Sequence, residues 1–359
     1  MKILFLLFSL ALFSCEEKME TEAPVENTDV LEHSILEVEP IIIEPYKWKY
    51  DSYENHFFTK DFIQNFHNEM SKMNIKSAII VHDGYIIDEY YASGYNASSV
   101  FSVHSCSKSI TSALFGIALE KGFIKDVNAP IYNFFPELDE DSPYSHITLA
   151  QLLSNTSGIK TTETDWYNWR SSSNWTDYLF HSPVVYKPGS TFSYSTGNTH
   201  LLSNVIERVT GKNLFAFAQE VLLHPIGMTS ATCGNSPEGV GDGGNGFRMT
   251  AKDMALFGLL YLQNGNINGK QIISEDWIKT STSAHVVRHQ ASDYGYQWWI
   301  NSFGKHSVYF ANGHGEQFIF VIPDTRFVIT FTSGYNDNSH FAQYRKFVEN
   351  ILLTFDKAK

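Results

Sequence analysis

The chain has 359 residues, of which 43% are hydrophobic and 18% are charged. These values are typical of a globular protein that buries a large core. Its formal net charge is −13, and an acidic surface repels phosphate backbones, so the composition argues against nucleic acid as a partner. Aromatic residues make up 15% of the chain, which suits either a Phe- and Tyr-rich core or an aromatic-lined pocket.

The first residues are predicted to be an export signal. After a positive charge at Lys2, residues 3–13 are almost wholly apolar, and that stretch is too short to span a bilayer as a mature helix. It ends in Ser14-Cys15, which resembles a bacterial lipobox. We therefore predict a signal peptide at 1–14, a lipid on Cys15, and an exported protein anchored to a membrane of the bacterial cell envelope, in the periplasm or at the outer membrane. The alternative is ordinary secretion with Cys15 incidental.

Residues 15–45 are acidic, contain proline and show no clear period. This composition predicts a solvated tether, or else a signal for export to the outer surface. The folded part is expected to begin near Tyr46. Apolar residues at helical spacing predict a helix over 61–73. Two β-rich runs, 77–81 and 85–91, flank an Asp-Gly turn and predict a hairpin.

Helical patterns then dominate the middle of the chain, from 105 to 285, beginning with a helix over 107–120 that Gly122 closes. Strand character returns at 294–300, 307–311, 317–322 and 326–332, and a helix is predicted over 339–355. Strands thus lie at both ends with helices between them. We predict a sheet domain made of 46–104 and 286–359, and a mostly helical domain made of 105–285.

Candidate chemistry begins with Ser105 and Lys108, which match the pattern S-x-x-K at the start of the predicted helix. Residues three apart share a helix face, so the hydroxyl and the amine can meet. A serine hydroxyl is a weak nucleophile until a neighbour takes its proton, and a lysine can do so only if burial lowers its pKa. The backbone N–H groups of the helix N-terminus favour developing negative charge.

The same pattern occurs at Ser157 and Ser302, so the motif alone is weak. Ser105 precedes an amphipathic run, whereas Ser157 is followed by Gly158 and a polar stretch, and Ser302 begins a predicted tight turn. We predict that Ser105 is the nucleophile and that the other two serines lie at the surface. Cys106 and Cys233 could pair in an oxidising compartment, but because Cys106 lies inside the motif we favour two buried thiols.

Several further motifs appear in order: VHSCSKS at 103–109, ITLAQLLSNTSG at 147–158, PGSTFSYS at 188–195, LHPIGM at 223–228 and YGYQWW at 294–299. Together they resemble the serine β-lactamase-related hydrolases, which include class C β-lactamases, their esterase relatives and 6-aminohexanoate-dimer hydrolases. The likeness covers most of residues 75–335. It implies an α+β fold (an α/β sandwich) of the β-lactamase/transpeptidase type, in which an antiparallel sheet flanked by helices joins a mostly helical domain.

The resemblance also implies roles. Ser105 would be acylated, Lys108 would accept its proton or tune Tyr194, and Tyr194 would shuttle a proton between nucleophile and leaving group. A tyrosine needs a depressed pKa for that task, and an adjacent lysine cation supplies such a shift. The expected reaction is acyl transfer from a small-molecule ester or amide, followed by hydrolysis, with no metal or organic cofactor.

Departures from the family pattern narrow the chemistry. The family's Y-x-N would place Asn at 196, where this chain has Thr196, with Asn198 two positions further on. In place of K-T-G stands a Gly-rich run in which His314 replaces the lysine that helps to bind a β-lactam carboxylate. A neutral histidine offers less charge, so we expect weak β-lactam recognition and favour an esterase or small-amide hydrolase. The backbone around Gly315 and Glu316 is expected to supply one oxyanion donor, with the Ser105 N–H as the other.

Two other classes stay open: a non-hydrolytic sensor or binder of the penicillin-binding type, and a true β-lactamase or D-amino-acid peptidase. His285 and His289 form H-x-x-x-H without a Glu or Cys at metal spacing, so no metal site is predicted. The glycine cluster at 239–246 lacks the lysine of a phosphate loop and is predicted to form a flexible rim over the site. Tryptophans follow Gly158 and either border the pocket or pack in the core: Trp166, Trp169 and Trp175.

Overall fold

The computed structural model describes residues 46–289 and 291–359. The predicted signal peptide, Cys15 and the acidic tether lie outside the described residues. None of the described helices is long and apolar enough to cross a membrane. The α-helices are α1 (Lys60–Ser71), α2 (Ser107–Glu120), α3 (Leu149–Leu153), α4 (Trp166–Ser171), α5 (Trp175–Phe180), α6 (Thr196–Thr210), α7 (Leu214–Ala218), α8 (His224–Ile226), α9 (Ala251–Leu262), α10 (Glu275–Ser281) and α11 (Phe341–Ala358).

Short 3-10 helices occur at Tyr53–His56, His104–Cys106, Ile131–Phe134 and Thr162–Thr164, and a π-helical turn spans Gln219–Leu223. The strands are β1 (Lys49–Tyr50), β2 (Ile75–His82), β3 (Tyr85–Tyr91), β4 (Val100–Ser102), β5 (Thr232–Cys233), β6 (Phe247–Thr250), β7 (Asn266–Ile267), β8 (Lys270–Gln271), β9 (Asp293–Tyr294), β10 (Trp299–Phe303), β11 (His306–Gly313), β12 (Gln317–Ile322) and β13 (Phe327–Ser333).

The large sheet has the order β1-β3-β2-β13-β12-β11-β10-β9. It joins the two ends of the chain, because β2 pairs with β13 in antiparallel register. The hairpin of β2 and β3 turns at Asp83 and Gly84, whose φ values of 51° and 86° suit a two-residue turn. The sheet is mixed, since β1 runs parallel to β3, whereas its other pairs are antiparallel. The expected sheet from both termini is confirmed, with this one parallel strand added.

Side chains along the central strands point alternately to the two faces of the sheet, and both faces are apolar. On β12, Phe318 and Phe320 pack with the residues of α1 and α11 on one face. Ile319 and Val321 belong to the larger core on the other face, which includes α2, α6 and α9. Two smaller sheets, β4-β6-β5 and β7-β8, lie among the helical segments. Residues 46–289 and 291–359 therefore form a helix-flanked sheet with a largely helical segment between its two halves.

The predicted strand over 294–300 is wrong as a continuous element. The chain leaves β9 after Tyr294 and enters β10 only at Trp299, and between them Gln297 has a left-handed φ of 67°. This turn points the Gln297 amide inward, where it donates to Leu153 O at 2.7 Å and accepts from Thr199 Oγ1 at 2.7 Å. A buried polar anchor thus overrides the strand propensity of the aromatic run.

Ser157 is also not where we expected it. Its side chain is 1% exposed and donates to Asn198 Oδ1 at 2.8 Å, so the prediction of a surface residue is wrong. Ser302 is exposed, as predicted, but it lies in β10 and pairs with Ser307 of β11, and the turn itself is at Gly304 and Lys305. Cys106 is buried, Cys233 is half-buried, and both are free thiols.

Candidate active site

The nucleophile candidate lies at the junction of a short strand and a buried helix. After β4, a 3-10 turn at His104–Cys106 leads into α2, and His104 adopts a left-handed φ of 46°. Strain of this kind is held only where the surroundings determine it. The first bond of this turn runs from the Cys106 N–H to Val103 O at 3.1 Å. The Ser105 N–H precedes that bond, so it has no acceptor within the helix and suits an oxyanion donor.

Lys108 is the second residue of α2 and follows Ser105 by three positions. The helix is buried on all sides from Ser107 to Ala118. Its side chain is 1% exposed. The amine nitrogen is 3.0 Å from Ser105 Oγ, 2.9 Å from Thr196 Oγ1 and 2.9 Å from Gly244 O. Burial lowers the pKa of Lys108 to about 8. The expected meeting of hydroxyl and amine is thus present in the structure, with the lowered pKa that proton transfer requires.

The three contacts of the Lys108 amine determine where its N–H groups and its lone pair point. Gly244 O can only accept, so one N–H of Lys108 is donated to it. The Thr196 hydroxyl lies 2.7 Å from Glu163 Oε1 and donates its proton there, so its oxygen accepts a second N–H from Lys108. A neutral amine has two N–H groups and one lone pair. The lone pair therefore faces Ser105, at the distance needed to accept its proton.

Glu163 is a functional candidate that the sequence patterns did not reveal. It lies on the 3-10 turn Thr162–Thr164, and its Oε1 accepts from both the Thr196 hydroxyl and the Thr196 N–H, the latter at 2.9 Å. Because α6 begins at Thr196, this carboxylate also lies at a helix N-terminus, where negative charge is favoured. No motif marks Glu163, since its partner lies 33 residues away in a separate element.

Tyr194 lies two residues before the start of α6, and its hydroxyl interacts with the Ser105 side chain. Lys108 Nζ lies 5.0 Å from the centroid of the Tyr194 ring, over its face, and the ring stacks on Trp299. Burial raises the pKa of Tyr194 well above its usual value, against the opposing interaction with Ser105. The expected depressed pKa is therefore wrong for the free enzyme. A neutral Tyr194 is suited to donate a proton.

These groups open into a cavity of about 370 Å³, called the catalytic pocket below, which is lined by His104, Ser105, Glu163, Trp166, Thr196, Asn245 and His314. His314 reaches this cavity as predicted, and its ring lies edge-on to His104 with centroids 5.7 Å apart. Of the three tryptophans, Trp166 borders the pocket, whereas Trp169 and Trp175 are buried in the core.

Three residues predicted near the substrate do not line the catalytic pocket. Asn198 lies two positions after Thr196 on α6, so its side chain points in a different direction, into the core. It is 2% exposed, and its amide donates to Asn155 Oδ1 at 2.9 Å. The Gly315 N–H donates to Asn338 Oδ1 at 2.9 Å, so it is not free to bind an oxyanion. Glu316 is fully buried, and its carboxylate accepts from the His340 N–H at the start of α11.

Gly243 and Gly244, within the glycine cluster, pack inside the fold against α6, so the prediction that the whole cluster forms a rim over the site is wrong. Gly243 and Gly244 are buried, and a Cβ on Gly244 would come within 2.6 Å of Thr196 Cγ2. Only a residue without a side chain brings Gly244 O close enough to accept from Lys108. Asn245, at the end of this run, does line the catalytic pocket.

Possible metal-ligating groups lie apart from Lys108 and Ser105. Among the described residues, only one group of three or more brings ligand atoms within 4.8 Å of one another: Glu316, Asp337 and His340. His285 instead stacks on Tyr296 with ring centroids 3.7 Å apart.

Comparison with known proteins agrees with this arrangement. Residues 64–351 match the family model described as Beta-lactamase. The chain belongs to the β-lactamase family. It is a serine hydrolase of that family, with the β-lactamase/transpeptidase-like α+β fold.

One relative of this β-lactamase-family chain is the 6-aminohexanoate-dimer hydrolase of Paenarthrobacter ureafaciens, which is 24% identical over 287 residues, or 72% of each chain. A solved structure from Bacillus anthracis, assigned to the 6-aminohexanoate-dimer hydrolases, superposes with a TM-score of 0.73 at 22% identity and covers 88% of this chain and 90% of its own. The D-amino acid amidase of Ochrobactrum anthropi gives a TM-score of 0.66 at 16% identity, covering 81% and 99%. At these identities the two structures show a shared fold.

The lowered pKa of Lys108 predicts the pH dependence of the enzyme. Lys108 accepts a proton only when it is neutral, so kcat/KM for a neutral ester should rise as pH increases through about 8. The negative charge of Glu163 raises the pKa of Lys108. Glu163→Gln keeps an oxygen acceptor for Thr196 but removes that charge, and it should move the pH profile to lower pH. Stopped spectrophotometric assays across the pH range measure both profiles.

A matched control is Glu69→Gln, which changes an exposed carboxylate on α1, across the large sheet from the site. Its profile should coincide with that of the wild type. A wild-type profile without a rise near pH 8, or a Glu163→Gln profile displaced to higher pH, would contradict the assignment of Lys108 as the base.

Proposed function

We propose that the protein hydrolyses small esters or linear amides through an acyl-enzyme on Ser105. The observation that carries this proposal is the buried amine of Lys108, which lies 3.0 Å from Ser105 Oγ and whose pKa burial lowers to about 8. A serine next to a base of this kind is an activated nucleophile. Ser105, Lys108 and Tyr194 are all present and brought together, so the site supplies the groups for both acylation and deacylation, which favours catalysis over the sensor alternative.

In the acylation step, Ser105 Oγ attacks the substrate carbonyl while Lys108 takes its proton and becomes an ammonium. The new carbon–oxygen bond gives a tetrahedral oxyanion, which the Ser105 N–H stabilises. When this intermediate collapses, the bond to the leaving group breaks. Tyr194, neutral in the free enzyme, donates its proton to the leaving oxygen or nitrogen and becomes a phenolate beside the Lys108 ammonium.

Deacylation reverses the proton transfers. A water molecule gives one proton to the Tyr194 phenolate and attacks the acyl carbon. The second tetrahedral intermediate then expels Ser105 Oγ, which regains its proton from the Lys108 ammonium. The product acid leaves, and both Lys108 and Tyr194 return to their starting protonation states.

The polar groups around the nucleophile support esters and linear amides over β-lactams. The Thr196 hydroxyl is committed to Lys108 and Glu163, and the Asn198 amide is turned into the core. Neither is free to bind an amide side chain of a drug. His314 stands in the pocket wall where the family carries a lysine, and it provides a weaker partner for a carboxylate. Names of relatives, a 6-aminohexanoate-dimer hydrolase and a D-amino acid amidase, also point to amide bonds.

We further propose that the mature enzyme is exported and held at the bacterial cell envelope by a lipid on Cys15. The support is the sequence: an apolar run of residues 3–13, then Ser14-Cys15, then an acidic stretch before the fold. A single acyl chain anchors a protein only weakly, so stable attachment requires the multiple chains of a lipoprotein N-terminus.

Removal of the nucleophile tests the proposed reaction. Ser105→Ala should lower kcat for a para-nitrophenyl ester by about 10³-fold or more, because no other group takes over covalent catalysis. Ser302→Ala changes an exposed serine of a second S-x-x-K pattern and should leave kcat unchanged. Steady-state kinetics on both variants checks this. Activity retained in Ser105→Ala would remove Ser105 from its proposed role.

Substitution of the tyrosine separates the two proton-transfer groups. Tyr194→Phe removes the donor to the leaving group, so hydrolysis of an anilide should fall by about 10²- to 10⁴-fold. A para-nitrophenyl ester of the same acid has a leaving group that departs without a proton, so its acylation, which kcat/KM reports, should be slowed much less. The ratio of the wild-type rate to the Tyr194→Phe rate is measured for each of the two substrates, with the same preparation of each enzyme. Equal losses on both substrates would argue against Tyr194 as the acid.

The lipid proposal is tested in the producing cell. Wild-type protein should incorporate an alkyne fatty acid and sediment with membranes, whereas Cys15→Ser should do neither. Cys233→Ser, which changes a half-buried thiol within the fold, is the control and should behave as wild type. Equal labelling of wild type and Cys15→Ser would contradict the assignment.

A further inference from the structure

A second cavity of about 340 Å³, called the basic pocket here, lies next to the catalytic pocket, and both have His104 in their walls. Its lining includes Lys76, Tyr95, Arg248 and Tyr335. His104 directly precedes Ser105 in the chain, so the two cavities share a wall residue that is next to the nucleophile in sequence. A substrate bound at Ser105 would have to pass His104 to reach the basic pocket.

Arg248 supplies one positive charge to this pocket. It lies on β6, the middle strand of the small sheet, opposite Ser102 of β4. Among the described residues, Arg248 has no hydrogen-bond or ion-pair partner for its side chain. The other five arginines of the chain are all engaged, four in ion pairs and one with a backbone carbonyl: Arg170, Arg208, Arg326, Arg345 and Arg288.

Lys76 supplies the second charge. It is half-buried on β2, and its Nζ lies 5.6 Å from the centroid of the Tyr95 ring. A Cβ on Gly334 would come within 2.7 Å of Lys76 Cε, so the glycine leaves room for the lysine stem at the pocket wall. No carboxylate among the described residues forms an ion pair with Lys76.

The absence of acidic partners is notable in this chain, which has 39 acidic and 26 basic residues. Two carboxylates are close in sequence to the pocket wall, on Glu316 and Asp337. Glu316 accepts from the His340 N–H, and Asp337 accepts from Ser339 and lies 3.5 Å from His340 Nδ1. Both are thus directed to the start of α11, and neither neutralises Arg248 or Lys76.

Arg248 and Lys76 also interact electrostatically with His104, the residue that both pockets share. Burial lowers the pKa of His104, and its electrostatic interactions with His314, Arg248, Lys108 and Lys76 lower it further. The positive potential of the basic pocket therefore extends to the residue next to Ser105. Unpaired cations beside a reaction centre are suited to bind an anion that water alone would otherwise solvate.

We propose that the basic pocket binds a carboxylate of the substrate through Arg248 and Lys76, so that the enzyme acts on esters or amides with an anionic end. The guanidinium group offers paired donors that match a carboxylate, and the lysine adds a point charge. This inference rests on the proposed function, because it takes Ser105 as the reaction centre. It assigns the recognition of a substrate carboxylate to Arg248 and Lys76 and not to His314.

Four esters test the proposal and show on which side of the scissile bond the carboxylate lies. For the acyl side, para-nitrophenyl hemiglutarate is compared with para-nitrophenyl butyrate. For the leaving side, meta-carboxyphenyl acetate is compared with phenyl acetate. In at least one pair the wild type should prefer the anionic ester. Arg248→Ala should lower that preference in kcat/KM by about tenfold or more, and Lys76→Ala should lower it as well.

Controls separate charge from fold. Arg248→Lys should retain part of the preference, and added salt should weaken it in the wild type. Lys279→Ala removes an exposed lysine of α10, which lines neither pocket, and should leave the preference unchanged. Rates with the neutral esters should stay at the wild-type level in all four variants, because none of them alters Ser105 or Lys108.

Two results would overturn the inference. If the wild type shows no preference within either pair, or if Arg248→Ala and Lys76→Ala both keep it, the basic pocket does not bind the substrate carboxylate, while Ser105-dependent hydrolysis of the neutral esters leaves the proposed function intact. If no ester of the four is hydrolysed in a Ser105-dependent manner, the proposed function and the inference fail together.

Discussion

The burial of the Lys108 amine against three oxygen atoms is the constraint on which the active site depends. A lysine ammonium without water is costly, so burial favours the neutral amine. The protein supplies two oxygens that must accept from it, on Gly244 and Thr196. Its lone pair is then left for Ser105. Glu163 sets the direction of these hydrogen bonds, because it accepts a hydrogen bond from the Thr196 hydroxyl and so leaves the Thr196 oxygen to accept from Lys108.

The fold brings these groups together from distant parts of the sequence. Ser105 and Lys108 come from the start of α2, Thr196 from the start of α6, and Gly244 from a buried glycine run. The large sheet contacts the turn that carries Ser105 at Gly313, the end of β11, where a Cβ would come within 2.2 Å of Val103 O. This close approach places the hairpin after β11, with His314, against the turn that carries the nucleophile. Helix starts and glycine contacts thus position the reacting atoms on rigid elements.

The sequence predicted well whatever depends on local pattern. The helix over 107–120, the hairpin at 83–84 and the S-x-x-K pair are all present, because period and turn chemistry report them directly. Partners distant in the chain were not predictable in this way. Glu163 belongs to no motif, and the inward turn of Asn198 follows from its position on α6, which the spacing of Y-x-N did not reveal.

Residues of the 314–316 hairpin show the same limit of local pattern. A Gly-rich run predicts a close backbone approach, and His314 does line the catalytic pocket. The Gly315 N–H and the Glu316 carboxylate instead hold the segment before α11, at Asn338 and His340. Which of several backbone groups faces a substrate depends on tertiary partners that a single motif does not contain.

The protonation state of Lys108 is the central claim, and nuclear magnetic resonance measures it directly. In protein labelled with carbon-13 at lysine Cε, the Lys108 signal is assigned by its loss in Lys108→Arg and followed as a function of pH. We predict a titration midpoint near 8, with the amine neutral above it. A midpoint near the ordinary lysine value of about 10.4 would contradict the account, because the amine would then be an ammonium when the enzyme works.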